Sequence, residues 1–483
     1  MLGNGDEKLV FELSRPGRRA SSMPVLDVPA APADVIPASA RRVKLPALPE
    51  VAERDLVRHY TRLSQRNYGI DLGFYPLGSC SMKYNPKVAE TVAAIPGFQR
   101  LHPHQPEHTV QGALELMWRL ERALCELTGM SRATFQPPAG ASGELTGLLI
   151  MRAFHTKAGA ARKKIVIPDS AHGTNPASVT LSGYETLQVP SDARGLVDLS
   201  ALEKLVDEEV AGLMLTNPNT LGLFEEEIQG IARAIHEVDG LLYYDGANLN
   251  AIMGKVRPGD MGFDIVHMNT HKTFATPHGG GGPGAGPVAV SERLAPFLPS
   301  PLVERRGDAT YAFDRDRPDS IGPVHGFFGN FGVLVRAYAY VFLHGGNGLE
   351  RVSERAVLNA NYLAQKVKEA YPLAFPGRPM HEFVATAKPL RRYGVRATDV
   401  AKRVIDLGFH PSTVYFPLVV EEAMMVEPTE TESREALDAF ADAMLQTARD
   451  AETNPDLLHQ APVTAPVRRL VEARAARNLK LRW

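Results

Sequence analysis

The 483 residues predict an α/β protein, with a large domain on a mostly parallel sheet and a smaller C-terminal α+β domain. Two observations predict it. Between about 140 and 290, short apolar runs alternate with stretches of helical periodicity, the pattern of strands joined by crossover helices. After Gly345 and Gly346 that alternation stops, and helical patterns follow at about 350–370 and about 432–449. A chain of this length is too long for a single core and long enough to bury a catalytic site.

Taken in order, residues 1 to about 50 carry Pro16, Pro24, Pro29, Pro32, Pro37, Pro46 and Pro49, a density that excludes regular helix and favours extended chain. The expected division is an extended arm and linker over 1–70, a large domain over 71–345, and a small domain with a basic tail over 346–483. The apolar stretch LVFEL, 9–13, has no core of its own within the arm. From Thr109, the residues Val110, Leu114, Met117, Leu120, Leu124 and Leu127 share one helical face. Strands are expected at Ile165–Ile167, Leu213–Leu215, Leu241–Tyr244 and Ile265–Val266, with crossover helices through Leu199, Leu202, Leu205 and Val206 and through Ile228, Ile231, Ala232 and Ile235. The last helix shows Thr429 three residues before Glu432, a capping-box spacing, and then Leu437, Phe440, Ala441, Met444 and Leu445 on one face.

Composition excludes several classes of function. Apolar residues at 44% and charged residues at 22% are those of a globular protein, and a net charge of −2 gives no general attraction to nucleic acid. The pairs Arg391-Arg392 and Arg468-Arg469 read as solvated surface. Cys80 and Cys125 are too few for a disulfide framework, and neither sits in a C-x-x-C pair, which points to a reducing cytoplasm. No stretch has the length and apolarity of a signal or a membrane span.

The chemistry centres on NTHKTFATPHGGGGPGAGP, 269–287, where Lys272 follows a strand and leads into a glycine-rich loop. An amine at a strand end, partly desolvated, can form a Schiff base; an isolated surface lysine beside a flexible loop would do nothing of the kind. Context favours the first. Asp245 in YYDGAN ends the preceding strand, 27 residues before Lys272, where a carboxylate can pair with a protonated pyridine nitrogen; an Asp before Gly otherwise starts a turn. In PAGASGELTGLL, 138–149, Ala141, Ser142 and Gly143 lie where a helix begins and backbone amides can hold a phosphate, with Ser142 either adding a hydroxyl contact or capping the helix. His172, in a loop of small residues just past a strand, can stack on a cofactor ring or serve as a structural hydrogen-bonder. Together these strand-end elements describe a site for a phosphorylated aromatic aldehyde.

Two other readings are weaker. His102, His104 and His108 are three imidazoles in seven residues, but the prolines between them stiffen the segment and no cysteine is adjacent, so no metal is assigned. The glycine run 279–282 follows the lysine loop instead of joining a first strand to its helix, so it fails the dinucleotide pattern.

The segments PLGSCSMKYNP (76–86), HPHQPEHTVQG (102–112), DSAHGTNPAS (169–178), DGANLNAI (245–252), HKTFATPHGGGGPGAGP (271–287) and MVEPTETESREALD (425–438) resemble the P-protein of the glycine cleavage system. The likeness runs from ELSRPGRR (12–19) into the C-terminal quarter and is closest to the lysine-bearing half, subunit 2. It implies the aspartate-aminotransferase-like fold, fold type I, with pyridoxal 5'-phosphate on Lys272, His172 over the ring, Asp245 at its nitrogen, and Ala141, Ser142, Gly143 and His271 among the cofactor contacts. It implies glycine decarboxylation with transfer of the aminomethyl group to the lipoyl arm of H-protein. The expected partners are H-protein and a lysine-lacking companion subunit in an α2β2 heterotetramer, in the cytoplasm. His104 stands where the family usually has Phe, and Ser81 where Thr is common. The alternatives are another decarboxylase or lyase of the same fold, and a non-catalytic structural partner.

Overall fold

A computed structural model of the chain describes residues 7–32, 35–160, 162–279 and 284–479, so most of the glycine run 279–282 and the last residues of the basic tail lie outside the described residues. The chain groups into two compact units, Met1–Leu72 with Pro466–Arg468, and Gly73–Ala465 with Arg469–Trp483.

The first unit contains a helix, Glu53–Ser64, inside the span expected to be extended arm and linker. Prolines end at Pro49, and Glu53 and Asp55 in the first turn with Arg62 in the last complement the helix dipole. Glu7 accepts bonds from Arg62 at 2.6 and 2.9 Å, and His59 Nδ1 lies 3.1 Å away.

The second unit is built on a seven-stranded sheet. Its strands are β1 (Arg132–Thr134), β2 (Lys164–Pro168), β3 (Glu185–Val189), β4 (Val210–Leu215), β5 (Leu241–Gly246), β6 (Ile265–Met268) and β7 (Val288–Val290), in the order β1-β7-β6-β5-β4-β2-β3. All pairs from β3 through β6 are parallel; β7 alone runs antiparallel, to both β6 and β1. Side chains alternate between two cores, as a pleated sheet covered on both faces requires. Ile165, Ile167, Leu241, Tyr243 and Ile265 enter one, with Leu148 and Met151 of the helix Gly140–Lys157. Val166, Leu242, Tyr244 and Val266 enter the other, against the helices Gln111–Thr128 and Ile228–Glu237. The helical face read from Val110 to Leu127 is the buried one, since Leu114, Met117, Leu120 and Leu124 are all in the core.

β1, β3 and β7 were not legible in the sequence. β1 and β7 are only three residues long, and β3 is an edge strand whose exposed residues make no apolar run. Beyond them lies a two-stranded ribbon, β8 (Leu302–Arg305) and β9 (Tyr311–Asp314).

The small domain carries an antiparallel sheet, β10 (Phe383–Thr386), β11 (Thr413–Val414) and β12 (Ala423–Val426), in the order β10-β12-β11. Its core joins Phe383, Met424 and Val426 to Leu437, Phe440, Ala441 and Met444 of the helix Arg434–Thr453. That helix is capped by Ser433, whose hydroxyl accepts from the Ala436 N–H at 3.2 Å, so the Thr429–Glu432 capping box does not form. Thr429 is instead in a left-handed conformation, with φ of 64°, before the helix begins. Helix also starts earlier than expected around Gly345, because Phe331–Val367 runs through a break at that glycine, where φ is 59°. Among the described residues, no helix is long and apolar enough to cross a membrane.

Candidate active site

Parallel strands ending on one side of a sheet gather their loops there, and ligands bind beyond those ends. The carboxyl ends of β2, β4, β5 and β6 surround a cavity of about 190 Å³. Ala141, His172, Asp245, His271 and Lys272 all line it. Ser142 and Gly143 do not; they follow Ala141 in the first turn of the helix Gly140–Lys157.

Lys272 sits on a single helical turn, Thr270–Thr273, directly after β6. Its Nζ donates to the Ser79 carbonyl at 2.9 Å. Behind it the fully buried Lys83 donates to the Thr273 carbonyl, to Asn250 Oδ1 and to Glu430 Oε1, each at 2.8 Å, which fixes the end of the turn.

Asp245 is at the end of β5, beside β6, and is 3% exposed. Burial alone would raise its pKa, but the adjacent His267, the Asn175 amide at 3.0 Å, the Lys272 charge and the Ala247 N–H at 3.0 Å outweigh it, so the carboxyl is held below its ordinary value. His267 Nε2 lies 3.4 Å from Asp245 Oδ1, and its Nδ1 is 2.8 Å from the Tyr243 hydroxyl. The result is a buried, ionised carboxylate facing the cavity.

His172 Nδ1 is 2.8 Å from Thr174 Oγ1, which in turn donates to Glu144 Oε1 at 2.7 Å. A hydroxyl that gives its proton to Glu144 must accept from the imidazole. A longer contact of 3.3 Å, from the Thr174 N–H to the same nitrogen, would need the opposite tautomer. The two short bonds decide it: Nδ1 carries the proton, and Nε2 keeps a lone pair. Burial, with Lys272 nearby, lowers the His172 pKa, so the ring is neutral at pH 7.

The phosphate end is a helix start. Ala139 precedes Gly140 with no side chain capping the turn, and Ala139, Gly140 and Ala141 face the cavity. Ser142 is the third residue of the helix, so it is not its cap. A side chain at Gly140 would place Cβ 2.4 Å from Asn269 Oδ1, and one at Gly286 would come 2.1 Å from the Ala139 carbonyl oxygen. Asn269 and His271 line the cavity, and Asn269 Oδ1 and His271 Nδ1 are buried with no hydrogen-bond partner among the described residues. Burial and neighbouring positive charge push His271 down to about 3. A lysine amine, an ionised aspartate, a neutral imidazole, an uncapped helix start and two unpartnered polar atoms fit a phosphorylated aromatic aldehyde.

Other residues of the site escaped the sequence reading. Ser79, Glu144, Thr174, Thr216, Thr220, Asn248, His267 and Asn269 also line the cavity. Asn248, Ser79 and Thr174 lie within the DGANLNAI, PLGSCSMKYNP and DSAHGTNPAS segments, and Glu144 and Asn269 within PAGASGELTGLL and NTHKTFATPHGGGGPGAGP, which was the available signal. Ser81 is buried and gives both its N–H and its hydroxyl to Glu427, a bond that Thr also offers. His104 is outside the cavity, with its ring 5.3 Å from that of Phe327. Burial pushes the Cys80 thiol up to about 11, so it is not a thiolate.

The family model described as glycine cleavage system P-protein matches residues 21–312, and the one described as glycine dehydrogenase, C-terminal domain, matches 352–461. The chain is 59% identical over 477 residues to the probable glycine dehydrogenase (decarboxylating) subunit 2 of Caldanaerobacter subterraneus subsp. tengcongensis, covering 98% of each chain. It is 56% identical to the protein of that name from Bacillus licheniformis, covering 100% of both. Among solved structures it resembles a glycine decarboxylase (P-protein) of the glycine cleavage system in inhibitor-bound form, with a TM-score of 0.70, 21% identity, and coverage of 85% of this chain and 93% of that one. A NifS-like protein superposes with a TM-score of 0.60 at 15% identity, over 77% of this chain and 98% of that one. The fold is that of the fold-type-I pyridoxal-phosphate enzymes. By sequence over nearly its whole length, the chain belongs to the glycine cleavage system P-protein family.

Proposed function

We propose that this chain is the cofactor-carrying subunit of a glycine decarboxylase, with Lys272 as the attachment point, Asp245 at the ring nitrogen, His172 over the ring, and the turn after Ala139 at the phosphate. The family uses pyridoxal phosphate and decarboxylates glycine within the glycine cleavage system. What carries the residue assignment is the convergence of Lys272, Asp245 and His172 on one cavity.

When bound, the cofactor supplies an electron sink for the pair left behind as carbon dioxide departs. The chain supplies the rest. Asp245, kept ionised, holds a proton on the ring nitrogen. His172 offers a neutral Nε2 lone pair to the bound amino acid, while Thr174 and Glu144 fix the ring through Nδ1. The helix start anchors the phosphate, so glycine meets the ring in one orientation. The remaining aminomethyl group passes to the lipoyl arm of H-protein. The name subunit 2 of the relatives implies a companion subunit; an α2β2 assembly and a cytoplasmic location complete the proposal.

The test is borohydride reduction of the purified holo-protein, peptide mapping, and glycine exchange with labelled bicarbonate, with and without lipoylated H-protein. The cofactor should be fixed to Lys272, and Lys272→Ala should lose the visible absorbance and nearly all exchange. Normal exchange in that variant, or a label on another lysine, would make the assignment wrong.

A further inference from the structure

Beyond the cavity, at one end of the small antiparallel sheet, Glu382 precedes β10 and Glu427 follows β12. Strand pairing of Phe383 with Val426 sets them side by side, and neither is exposed. A carboxylate at that depth needs donors. The short ones come from one loop, residues 78–82, and a longer one of 3.3 Å comes from the Asn248 amide to Glu382 Oε1. The Ser79 N–H donates to Glu382 Oε2 and the Ser81 N–H to Glu427 Oε2, each at 2.7 Å, and the Ser81 hydroxyl donates to Glu427 Oε1. With these oxygens engaged by the protein, the pair is an anchor for the loop.

The loop needs an anchor, because Ser79 and Ser81 both lie in the left-handed region, with φ of 63° and 46°, which residues with a side chain rarely adopt. Further ties come from the small domain. Leu77 bridges to Val426, the Gly78 N–H donates to the Met425 carbonyl at 3.3 Å, and Thr413 Oγ1 donates to the Gly78 carbonyl at 2.9 Å. The approach at Gly78 is so close that a Cβ there would meet the Met425 backbone at 2.7 Å. While the Ser79 N–H is held by Glu382, its carbonyl accepts the Lys272 amine at 2.9 Å.

We propose that Glu382 and Glu427 are positioning residues that hold loop 78–82 in this left-handed form, so that the Ser79 carbonyl receives the Lys272 amine whenever it is released from the cofactor. The proposal rests on Lys272 being the attachment point. A freed amine in a partly buried cavity costs less when an acceptor is already in place, and it stays within reach for its return. His381 completes the cluster: neither ring nitrogen has a hydrogen-bond partner among the described residues, and Nε2 lies 3.8 Å from Glu427 and 4.0 Å from Glu382. Burial, then the charge of Glu427, pushes Glu382 up to about 8, which weakens charge repulsion within the pair at neutral pH.

The experiment compares holo-protein, co-expressed with its companion, as wild type, Glu382→Ala and Glu382→Gln. Glu382→Ala should still carry cofactor that borohydride fixes to Lys272. Hydrogen exchange in the 76–84 peptide should rise about tenfold, and kcat should fall about tenfold with KM changed less than about threefold. Glu382→Gln keeps an acceptor for the Ser79 N–H and should recover most of the protection and kcat. Unchanged protection, or lost protection with unchanged kcat, overturns the proposal. If Glu382→Ala does not fold, Ser81→Ala decides, since it removes only the hydroxyl donor to Glu427: loop exchange should rise and kcat fall, and wild-type values for both overturn the proposal. Wild-type protein whose cofactor is not fixed to Lys272 overturns the attachment reading and this proposal with it. Wild-type fixation with an unaltered Glu382→Ala overturns this proposal alone.

Discussion

Asp245 shows how a buried side chain is kept charged for a purpose. Nothing in its own position favours ionisation, and its pKa falls only because His267, Asn175, Lys272 and the Ala247 N–H all face it. The Asn175 amide bridges it to Glu144, the same carboxylate that fixes Thr174 and so His172. One buried glutamate thus ties Asp245 to the His172 imidazole. Asp245→Ala should leave cofactor bound weakly while exchange of glycine with bicarbonate drops about a hundredfold, equivalent to about 2.7 kcal/mol of barrier. Exchange at the wild-type rate in that variant would remove the aspartate from the mechanism.

Among the elements, the start of the helix Gly140–Lys157 depends on a neighbour that no local sequence signal identifies. Gly286, just before β7, approaches so closely that any side chain strikes the Ala139 backbone. Gly286→Ala should push the first turn out of place at a cost of about 1–3 kcal/mol, read as a rise of about tenfold in the dissociation constant for pyridoxal phosphate by absorbance titration. Unaltered affinity would mean that the turn does not hold the phosphate. The edge of the small sheet makes a second prediction. Glu382, pushed up to about 8 by burial and by Glu427, binds its proton more tightly folded than unfolded, where its ordinary value is 4.5. Its contribution to stability is complete below that ordinary value and is lost as pH rises through about 8. The charged groups facing it are Glu427 and Lys272, with His381 alongside. The urea midpoint of the apo-protein should therefore fall as pH rises from about 4.5 to about 8, and fall less in Glu382→Gln. An identical pH slope in the two proteins would rule out this carboxyl as the source.

At the scale of the whole molecule, the arm is the least self-sufficient part of the chain. Met23 is 90% exposed, Val25 95% and Leu45 82%, apolar side chains left in the open within the arm. Apolar surface of this kind on an extended segment gains burial by ordering against another surface. The companion subunit is the natural one, and a wrapping arm covers a large area for modest affinity per unit area. Deletion of residues 1–49 should leave the cofactor spectrum intact and abolish the mass of the proposed α2β2 assembly in light scattering with the companion present. A truncated chain that still assembles fully would show that the arm has no part in association.

The sequence by itself determined the α/β class, four of the seven strands of the main sheet, and the strand-end places of Lys272, Asp245 and His172 around one cavity, because these depend on local signals: apolar runs of strand length, helical spacing, and reactive residue types just past strand ends. Its motifs also pointed to the family that the comparisons then established. Local signals misplaced two caps. Ser142 sits inside its helix, and Ser433 takes the place expected of Thr429, because cap geometry depends on where the chain bends and not on spacing alone. Only the tertiary structure decided that Glu144, 30 residues from Thr174 and 101 from Asp245 in sequence, orients both sides of the site, and that Ser79 reaches Lys272 across 193 residues. Those contacts exist because parallel strands bring their carboxyl ends together and a second sheet holds the 78–82 loop against them. No window along the chain contains both partners, so no local pattern can announce the pair.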